Sequence, residues 1–234
     1  FAAAAIAGVI SADDAMRAVA ARGRAMAQCA AATPSGMVAL VGGQPDEVLA
    51  AIGAAGAQAA NFNGPGQIVA GGTVEALARL AGAPPRRTRL IPLDVAGAFH
   101  TPLMAPAEHR LRAALAQAKI HDPAVPFISN RDGFAMTNGH LILEAIIGQV
   151  TKPVRWDLVL ERCAAHGIDH HLELAPAGVL TGLAKRALKG VTLEQAAAPQ
   201  AAPPPGAGQP TEPDLAAADG AAPGGLRART AGRA

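Results

Sequence analysis

Residues 37–95 alternate short apolar runs with helical segments, and the order of these segments constrains the fold more than any other feature of the sequence. The apolar run MVALVG precedes a helical segment that has Pro45 at its start and Gly56 at its end. Two further runs, AQAANFN and QIVAGG, are joined by a Gly-Pro-Gly turn. Thr73 then caps a second helical segment, and TRLIPLDV is a fourth strand. This β-α-β-β-α-β order predicts a ferredoxin-like subdomain over residues 35–96.

The sequence on either side of residues 35–96 predicts a second, larger unit. Residues 1–34 contain a helix capped by Ser11, and residues 97–197 alternate strands such as HHLELA with helices such as GVLTGLAKRAL. Such alternation is typical of a parallel sheet with helices on both faces. We therefore expect an α/β body made of residues 1–34 and 97–197, with the small subdomain inserted into it. Residues 198–234 are rich in Ala, Pro and Gly, and we expect them to be disordered.

Composition restricts the partners and the compartment. The chain carries 20 basic and 18 acidic residues, and no basic stripe alternates with aromatic residues, so a nucleic-acid partner is not expected. No apolar run is long enough to span a bilayer. Cys29 and Cys163 belong to no CxxC pair, which argues against a zinc site or a disulfide framework and favours a reducing cytoplasm. Because the first residue is Phe1 and not Met, we expect a cut on its N-terminal side.

His100 is the first candidate for chemistry. It follows a predicted strand directly and precedes a predicted helix, in the segment DVAGAFHTPLMAPA. The carboxyl ends of strands are where α/β proteins build their sites, and an imidazole can take and return a proton near neutral pH. Position alone leaves two readings equally open, a functional base or a hydrogen-bonded histidine in a turn.

Five motifs share one resemblance. The segments are GAFHTPLM, NFNGPGQIVAGG, SNRDG, GQVTKPVRWD and LAPAGVLTGLAKR. Together they resemble malonyl-CoA:acyl carrier protein transacylases of bacterial, actinobacterial-like type, in the family's order and spacing, over residues 1–195. The resemblance implies an α/β-hydrolase-like acyltransferase body. It also implies transfer of a malonyl group from coenzyme A to the phosphopantetheine thiol of acyl carrier protein through a serine acyl-enzyme, as in fatty-acid biosynthesis.

The resemblance also implies roles for particular residues. His100 would be the general base, and the main-chain carbonyl of Gln149 would orient its imidazole. Arg22 would hold the malonyl carboxylate by two parallel hydrogen bonds, which a planar guanidinium can form and an ammonium cannot. Without the resemblance, Arg22 would be read as a solvated helix arginine. A loop close to the site is implied by three further positions, Asn61, Asn63 and Gln67.

Phe99 precedes His100 in the same motif. In related polyketide acyltransferases, a Phe-His pair resembles the malonyl-selective form, and a small residue before the histidine resembles the methylmalonyl-selective form. A phenyl ring would fill the space that an α-methyl group needs. We therefore expect Phe99 to favour malonyl over methylmalonyl, although a core phenylalanine is the alternative.

The nucleophilic serine of the family lies in a GHSxGE elbow, and no such segment occurs in the chain. The serines are Ser11, Ser35 and Ser129, and none stands between glycines at that spacing. We expect the nucleophile to lie outside the chain, which alone would then be inactive. Because strands would also be missing, we expect poor solubility of the isolated chain.

Other readings remain open at this point. The chain could be an acyltransferase domain of a polyketide synthase, a malonate decarboxylase subunit, or a non-catalytic remnant. The expected partners are malonyl-CoA and acyl carrier protein, with no metal and no prosthetic group, since the coenzyme A thioester is the substrate. A basic surface for the acidic carrier protein is expected around four residues, Arg86, Arg87, Lys185 and Arg186.

Overall fold

The computed structural model of the protein describes residues 1–197. The segment predicted to be disordered, residues 198–234, lies outside the described residues. The helices of the described part are α1 Ala2–Ile6, α2 Ala12–Ala32, α3 Pro45–Ala54, α4 Val74–Gly82, α5 Ala105–Ala114, α6 Gly139–Gly148, α7 Trp156–Ala165 and α8 Val179–Ala187. Its strands are β1 Ser35–Gly42, β2 Gln58–Phe62, β3 Gln67–Thr73, β4 Thr88–Pro92, β5 Phe127–Ile128, β6 Ala135–Met136, β7 Val154–Arg155, β8 His170–Glu173 and β9 Thr192–Gln195.

Five of these strands form one mixed sheet in the order β4-β1-β3-β2-β7. The first four are antiparallel, and they and the two intervening helices follow the chain order predicted for residues 37–95. The fifth strand, β7, runs parallel to β2 and pairs Val154 with Asn61. The protein is therefore an α/β fold with a mixed sheet.

The two faces of this sheet bury different residues, because successive side chains of a strand point to opposite faces. On one face Val38 and Leu40 of β1 pack with α3 and α4, where Ile52 and Leu80 are almost fully buried. On the other face Met37 and Ala39 form a smaller cluster with Ala60, Val69 and the ring of Phe99. The second face is the one that reaches the candidate site.

A β-bulge in β2 changes which side chains reach that second face. Ala59 pairs with Ala70 and Asn61 pairs with Val69, so Ala60 is an extra residue without a partner in the ladder. Ala60 belongs to the cluster with Met37, and Asn61 lines a cavity on the same side of the sheet. An uninterrupted strand would point these neighbours to opposite faces. The bulge is what turns Asn61 towards the candidate site.

The long helix α2 lies at the centre of the helical part of the structure, where it packs against α5 and α6. It starts at the predicted cap, since the Ser11 hydroxyl accepts a hydrogen bond from the Asp14 N–H at 3.0 Å. Its buried side packs Met26 and Cys29 against Leu111 of α5 and Ile147 of α6. Most of its remaining buried positions are alanines, which let neighbouring segments approach closely.

Two helices begin later than the prolines that precede them would suggest. The segment after His100 first forms a 3-10 turn, Pro102–Met104, before α5 begins at Ala105. Pro106 falls in the first turn of α5, where its missing N–H costs no hydrogen bond. Pro153 does not open a helix, because the two residues after it pair with β2 as β7, and α7 starts only at Trp156.

The remaining strands form two small ladders. VPFIS contributes β5, which pairs antiparallel with β6, a strand that the sequence did not indicate. Strand β8 falls within the predicted strand HHLELA and pairs in parallel with β9 over four residues, starting from His170 and Thr192. Within residues 1–197, parallel pairing is limited to these two strands and the β2–β7 contact. None of the helices described in residues 1–197 combines the length and apolarity needed to cross a bilayer.

Candidate active site

His100 lies in the tight loop between β4 and the 3-10 turn. Its φ of 59° places it in the left-handed region, which is uncommon for a residue with a side chain. The surrounding loop is fixed by hydrogen bonds, from the Thr101 hydroxyl to the Ala98 carbonyl at 2.6 Å and from the Ala98 N–H to the Ser35 hydroxyl at 3.2 Å. Such a backbone conformation persists only when its surroundings determine it.

Gly97 explains how this loop can cross α2. A Cβ atom on Gly97 would lie 2.7 Å from the Cβ of Ala30 and 3.4 Å from the Met104 side chain. Two small residues therefore face each other where the loop meets the helix. This close contact sets the distance between the loop that carries His100 and α2, the helix that carries Arg22.

The imidazole of His100 is oriented by the end of α6. Its Nδ1 donates a hydrogen bond to the main-chain oxygen of Gln149 at 2.7 Å. Gln149 is the C-cap residue that follows the last residue of α6, and the carbonyls at the end of a helix have no partner within it, so this oxygen is free to accept. Because a carbonyl only accepts, Nδ1 carries the hydrogen of the neutral ring and Nε2 keeps its lone pair.

The surroundings keep His100 neutral. Burial lowers the pKa of His100 from its ordinary value, the hydrogen bond to the Gln149 carbonyl opposes this shift, and the charge of Arg22 adds to the lowering. The imidazole is therefore uncharged at neutral pH, with Nε2 available as a proton acceptor. That is the state a general base requires.

Arg22 differs from the other arginines of α2. It is half-buried, whereas Arg17 and Arg24 are exposed. Burial lowers the pKa of the Arg22 guanidinium, and within residues 1–197 no carboxylate lies within ion-pairing distance of it. Arg17, by contrast, pairs with Asp14 in the first turn of the helix. A partly desolvated guanidinium without a carboxylate partner is prepared to bind an anion.

Two cavities meet at His100 and Arg22. The larger, of about 590 Å³, is also lined by Asn61 and Asn63 of the expected site loop and by Phe99. The smaller, of about 400 Å³, is lined by Gln149 as well. Six of the seven predicted site residues are therefore brought together at one place.

Gln67 is the exception among the predicted loop residues. It lines a separate cavity of about 260 Å³ together with the Gly-Pro-Gly turn. Its side-chain oxygen accepts a hydrogen bond from the Arg186 guanidinium at 3.0 Å. The structure thus ties Gln67 to α8 and not to the cavity that contains His100.

Several further residues line the larger cavity without having been singled out. Asn130 borders both cavities, and it lies in the motif SNRDG. Trp156 belongs to the motif GQVTKPVRWD, and three apolar residues of α8 come from LAPAGVLTGLAKR. The signal that could have found them is their membership of these motifs. The α8 residues are Val179, Leu180 and Leu183.

The three serines are engaged elsewhere. Ser11 caps α2, Ser35 bridges the Thr33 carbonyl and the Ala98 N–H, and the buried Ser129 accepts from the Arg131 N–H. In the part of the chain that the structure describes, none of them is hydrogen-bonded to His100. The same residues contain no group of three or more His, Cys, Asp or Glu side chains that could hold a metal ion.

An oriented neutral imidazole and an unpaired guanidinium face one largely apolar cleft. This combination suits transfer of a negatively charged acyl group, because one group moves a proton and the other binds the charge. The comparison with protein families agrees, since residues 1–204 match the family described as the acyl transferase domain. The chain belongs to this acyl transferase family.

Relatives within the family carry a more specific description. The chain is 46% identical over 187 residues to "Malonyl CoA-acyl carrier protein transacylase" of Mycobacterium tuberculosis (strain ATCC 25618 / H37Rv), covering 80% of this chain and 62% of the relative. The protein of the same description from Mycolicibacterium smegmatis is 43% identical over 203 residues, covering 84% and 69%. The chain thus spans about 62% of the length of the Mycobacterium relatives that it matches.

Solved structures give the same picture. The crystal structure of MCAT from Mycobacterium tuberculosis superposes with a TM-score of 0.79 at 44% identity, covering 82% of this chain and 64% of that one. A second structure, described as a type II PKS acyl-carrier protein in complex with its malonyl-transacylase, superposes with a TM-score of 0.74 at 30% identity over 82% and 64%.

Proposed function

We propose that this chain forms the part of a malonyl-CoA:acyl carrier protein transacylase that supplies the general base and the carboxylate-binding arginine. The reaction moves a malonyl group from coenzyme A to the phosphopantetheine thiol of acyl carrier protein, in fatty-acid biosynthesis. One observation carries the proposal: His100, oriented by the Gln149 carbonyl at 2.7 Å, lines the same cavities as the unpaired Arg22.

The first half-reaction begins at His100. Its Nε2 takes the proton of a serine hydroxyl as the serine oxygen attacks the malonyl thioester. The imidazolium that forms is stabilised by the Gln149 carbonyl, which accepts from Nδ1. His100 then returns the proton to the departing coenzyme A thiolate, which leaves a malonyl ester on the serine. In the second half-reaction the same nitrogen takes the proton of the phosphopantetheine thiol as the sulfur attacks the malonyl ester, and it passes that proton to the departing serine oxygen, which leaves malonyl as a thioester on the carrier protein.

We propose that this serine lies outside the chain. Ser11, Ser35 and Ser129 stand in no G-x-S-x-G context, and each has another hydrogen-bonding partner. By itself the chain should therefore form no acyl-enzyme, because removing one member of a catalytic triad costs several orders of magnitude in rate. The alternative of a non-catalytic remnant would apply if no such serine is supplied.

Arg22 and Phe99 would select the acyl group. The Arg22 guanidinium binds the free carboxylate of malonyl through two parallel hydrogen bonds. The Phe99 ring is half-buried between the α2–α5 core and the cluster around Met37, and it borders the cavity beside His100. A ring fixed on both sides would leave no room for an α-methyl group next to the thioester.

The finer architecture is part of the proposal. We propose that residues 35–96 are a ferredoxin-like subdomain, inserted between residues 1–34 and 97–197 of an α/β-hydrolase-like body. The strand order β4-β1-β3-β2, with α3 and α4 on one face, supports the first half of this statement. The parallel pairing of β8 with β9 is consistent with the second.

Malonyl-CoA and acyl carrier protein are the proposed partners, and the reducing cytoplasm is the proposed compartment. The four basic residues suggested for carrier-protein contact are exposed, although Arg186 also bonds Gln67. The alternative of an acyltransferase domain of a polyketide synthase is supported by the solved relative that is described with a type II PKS acyl-carrier protein. A malonate decarboxylase subunit has no such support. No metal or prosthetic group is assigned to the reaction.

The test is malonyl transfer by the complete reading frame that contains Phe1–Ala234. We expect radiolabelled malonyl to pass from malonyl-CoA to carrier protein bearing phosphopantetheine, and to remain on the enzyme when the carrier is omitted. The isolated chain should do neither. A complete frame that encodes no serine elbow and transfers no malonyl would contradict the proposal and favour the remnant.

A further inference from the structure

Glu173 sits at the end of β8, and its carboxylate reaches over the following loop to the start of α8. One carboxylate oxygen accepts from the N–H of Gly178 at 2.8 Å, from the N–H of Thr181 at 2.8 Å and from the Thr181 hydroxyl at 2.6 Å. The other accepts from the Leu180 N–H at 2.9 Å. One side chain thus receives four hydrogen bonds from a single helical turn.

Helix α8 needs such an acceptor because it has no cap of its own. Gly178 stands at the capping position and offers no side-chain oxygen. The first N–H groups of a helix lack partners within the helix, and a negative charge there is favoured by the helix dipole. Glu173 supplies both the missing acceptor and the charge from a different element. These hydrogen bonds, that of the Thr181 hydroxyl first, lower the pKa of Glu173 to about 2, so the carboxylate stays charged at neutral pH.

The turn that Glu173 holds is a wall of the cavity. Val179, Leu180 and Leu183 border the cavity of about 590 Å³ that also contains His100 and Arg22. Leu180 and Glu173 also both border a smaller cavity of about 70 Å³. The reacting groups themselves are held by α2, by the loop after β4 and by the end of α6. The position of the α8 wall and the positions of His100 and Arg22 therefore depend on different contacts.

We propose that Glu173 is a positioning residue for the thioester substrate, which acts by holding the first turn of α8 so that its apolar side chains form one wall of the cleft. This inference rests on the proposed transacylase function. The apolar wall would contact the thioester-bearing arm of the substrate, whereas the acyl end would meet His100 and Arg22.

The matched pair of variants is Glu173→Gln and Glu194→Gln in the complete protein. Glutamine keeps the shape of Glu173 but loses the charge and replaces one acceptor oxygen with an NH₂ donor that faces backbone N–H groups. Loss of the charge and of at least one of these hydrogen bonds should raise KM for malonyl-CoA by about tenfold, with kcat changed by about twofold or less. Glu194 lies on the neighbouring strand and pairs with His170 at the surface, so its variant should behave as wild type.

Two further measurements distinguish a role of Glu173 in positioning the cavity wall from a general loss of protein stability. Leu180→Ala should raise KM alone, and the KM effects of Glu173→Gln and Leu180→Ala should combine to less than their product, because both act through one wall. Amide hydrogen exchange over residues 178–183 should quicken in Glu173→Gln and stay unchanged in α2 and α6. If Glu173→Gln does not fold, Thr181→Val, which removes only the hydroxyl donor, should show the smaller KM increase.

The outcomes distinguish this inference from the function on which it rests. Suppose that the complete wild-type protein transfers malonyl. An unchanged KM for malonyl-CoA in folded Glu173→Gln or Thr181→Val would then overturn the role of Glu173 and leave the transacylase function standing. Fully multiplicative KM effects of Glu173→Gln and Leu180→Ala would do the same. Absence of malonyl transfer by the complete wild-type protein would overturn the transacylase function, and the assignment of a thioester arm to this wall would fall with it.

Discussion

The Nδ1 atom of His100 lies 2.7 Å from the main-chain oxygen of Gln149, and this hydrogen bond joins a loop of the sheet to the end of α6. A carbonyl at a helix end carries part of the negative end of the helix dipole. The group that orients the imidazole is thus main chain and not a carboxylate side chain. This contact does not use the side chain of Gln149. It depends on the position at which α6 ends.

Replacing His100 by Gln should lower the rate of malonyl transfer by about 10²–10⁴-fold, because an amide cannot take the proton that a general base accepts. The measurement is the steady-state rate of the complete protein with saturating malonyl-CoA and carrier protein. His109→Gln is the control, since His109 is exposed on α5 and borders neither cavity. Equal rates in the two variants would exclude His100 as the base.

Replacing Arg22 by Lys should reduce kcat/KM for malonyl-CoA by about tenfold to a hundredfold, because an ammonium cannot form the paired hydrogen bonds of a guanidinium. The same change should affect acetyl-CoA far less, since acetyl has no free carboxylate. Arg24→Lys, an exposed position on the same helix, is the control. A loss of equal size with both thioesters would argue against carboxylate binding by Arg22.

The pH dependence of His100 has a definite sign. Because burial lowers its pKa below the ordinary value of 6.5, the folded protein binds fewer protons at this site than the unfolded chain does between the two pKa values. The corresponding stability is complete above pH 6.5 and is lost as the pH falls through the lowered pKa.

The pKa of His100 can be read by NMR titration of the imidazole. The acid limb of kcat/KM should fall at the same lowered value. Arg22→Gln should move the imidazole pKa upwards, because the guanidinium charge contributes to the lowering. A titration midpoint at or above 6.5 in the wild-type protein would contradict this account.

Replacing Phe99 by Ser should admit methylmalonyl-CoA, because removal of the ring opens the space that an α-methyl group requires. The measurement is the ratio of kcat/KM for methylmalonyl-CoA and malonyl-CoA, which should rise by about tenfold or more if the ring is the obstacle. Phe134→Ser, at an exposed ring that borders neither cavity around His100, should leave the ratio unaltered. An unchanged ratio in Phe99→Ser would refute the selectivity hypothesis.

Local signals in the sequence placed much of the site in advance. The β-α-β-β-α-β order, the Ser11 and Thr73 caps and the site of His100 after β4 are all found in the structure. These features follow from neighbours in sequence, such as a hydroxyl three residues before an N–H group. The gathering of Arg22 with His100 came from family motifs, and their chemical roles remain predictions.

Contacts between segments that are distant in the chain could not be predicted from the sequence. Gln67 was grouped with Asn61 and Asn63, but the Gly-Pro-Gly turn carries it to a different cavity. A proline usually signals a helix start, yet the residues after Pro153 pair with β2. Glu173 caps a helix from a preceding strand, and no local pattern announces that a carboxylate will reach across a loop.

The extra residue in β2 has a consequence for how substitutions along that strand should be interpreted. Up to Ala59 the odd-numbered residues of β2 face the helices, whereas after the bulge the even-numbered Phe62 does. Tolerance to polar substitution should therefore switch phase at Ala60. Deleting this single alanine would restore regular alternation, with Asn61 in the place of Ala60 on the cleft face and Phe62 still on the helix side. The bulge therefore gives the cleft two consecutive residues of β2 where a regular strand would give one.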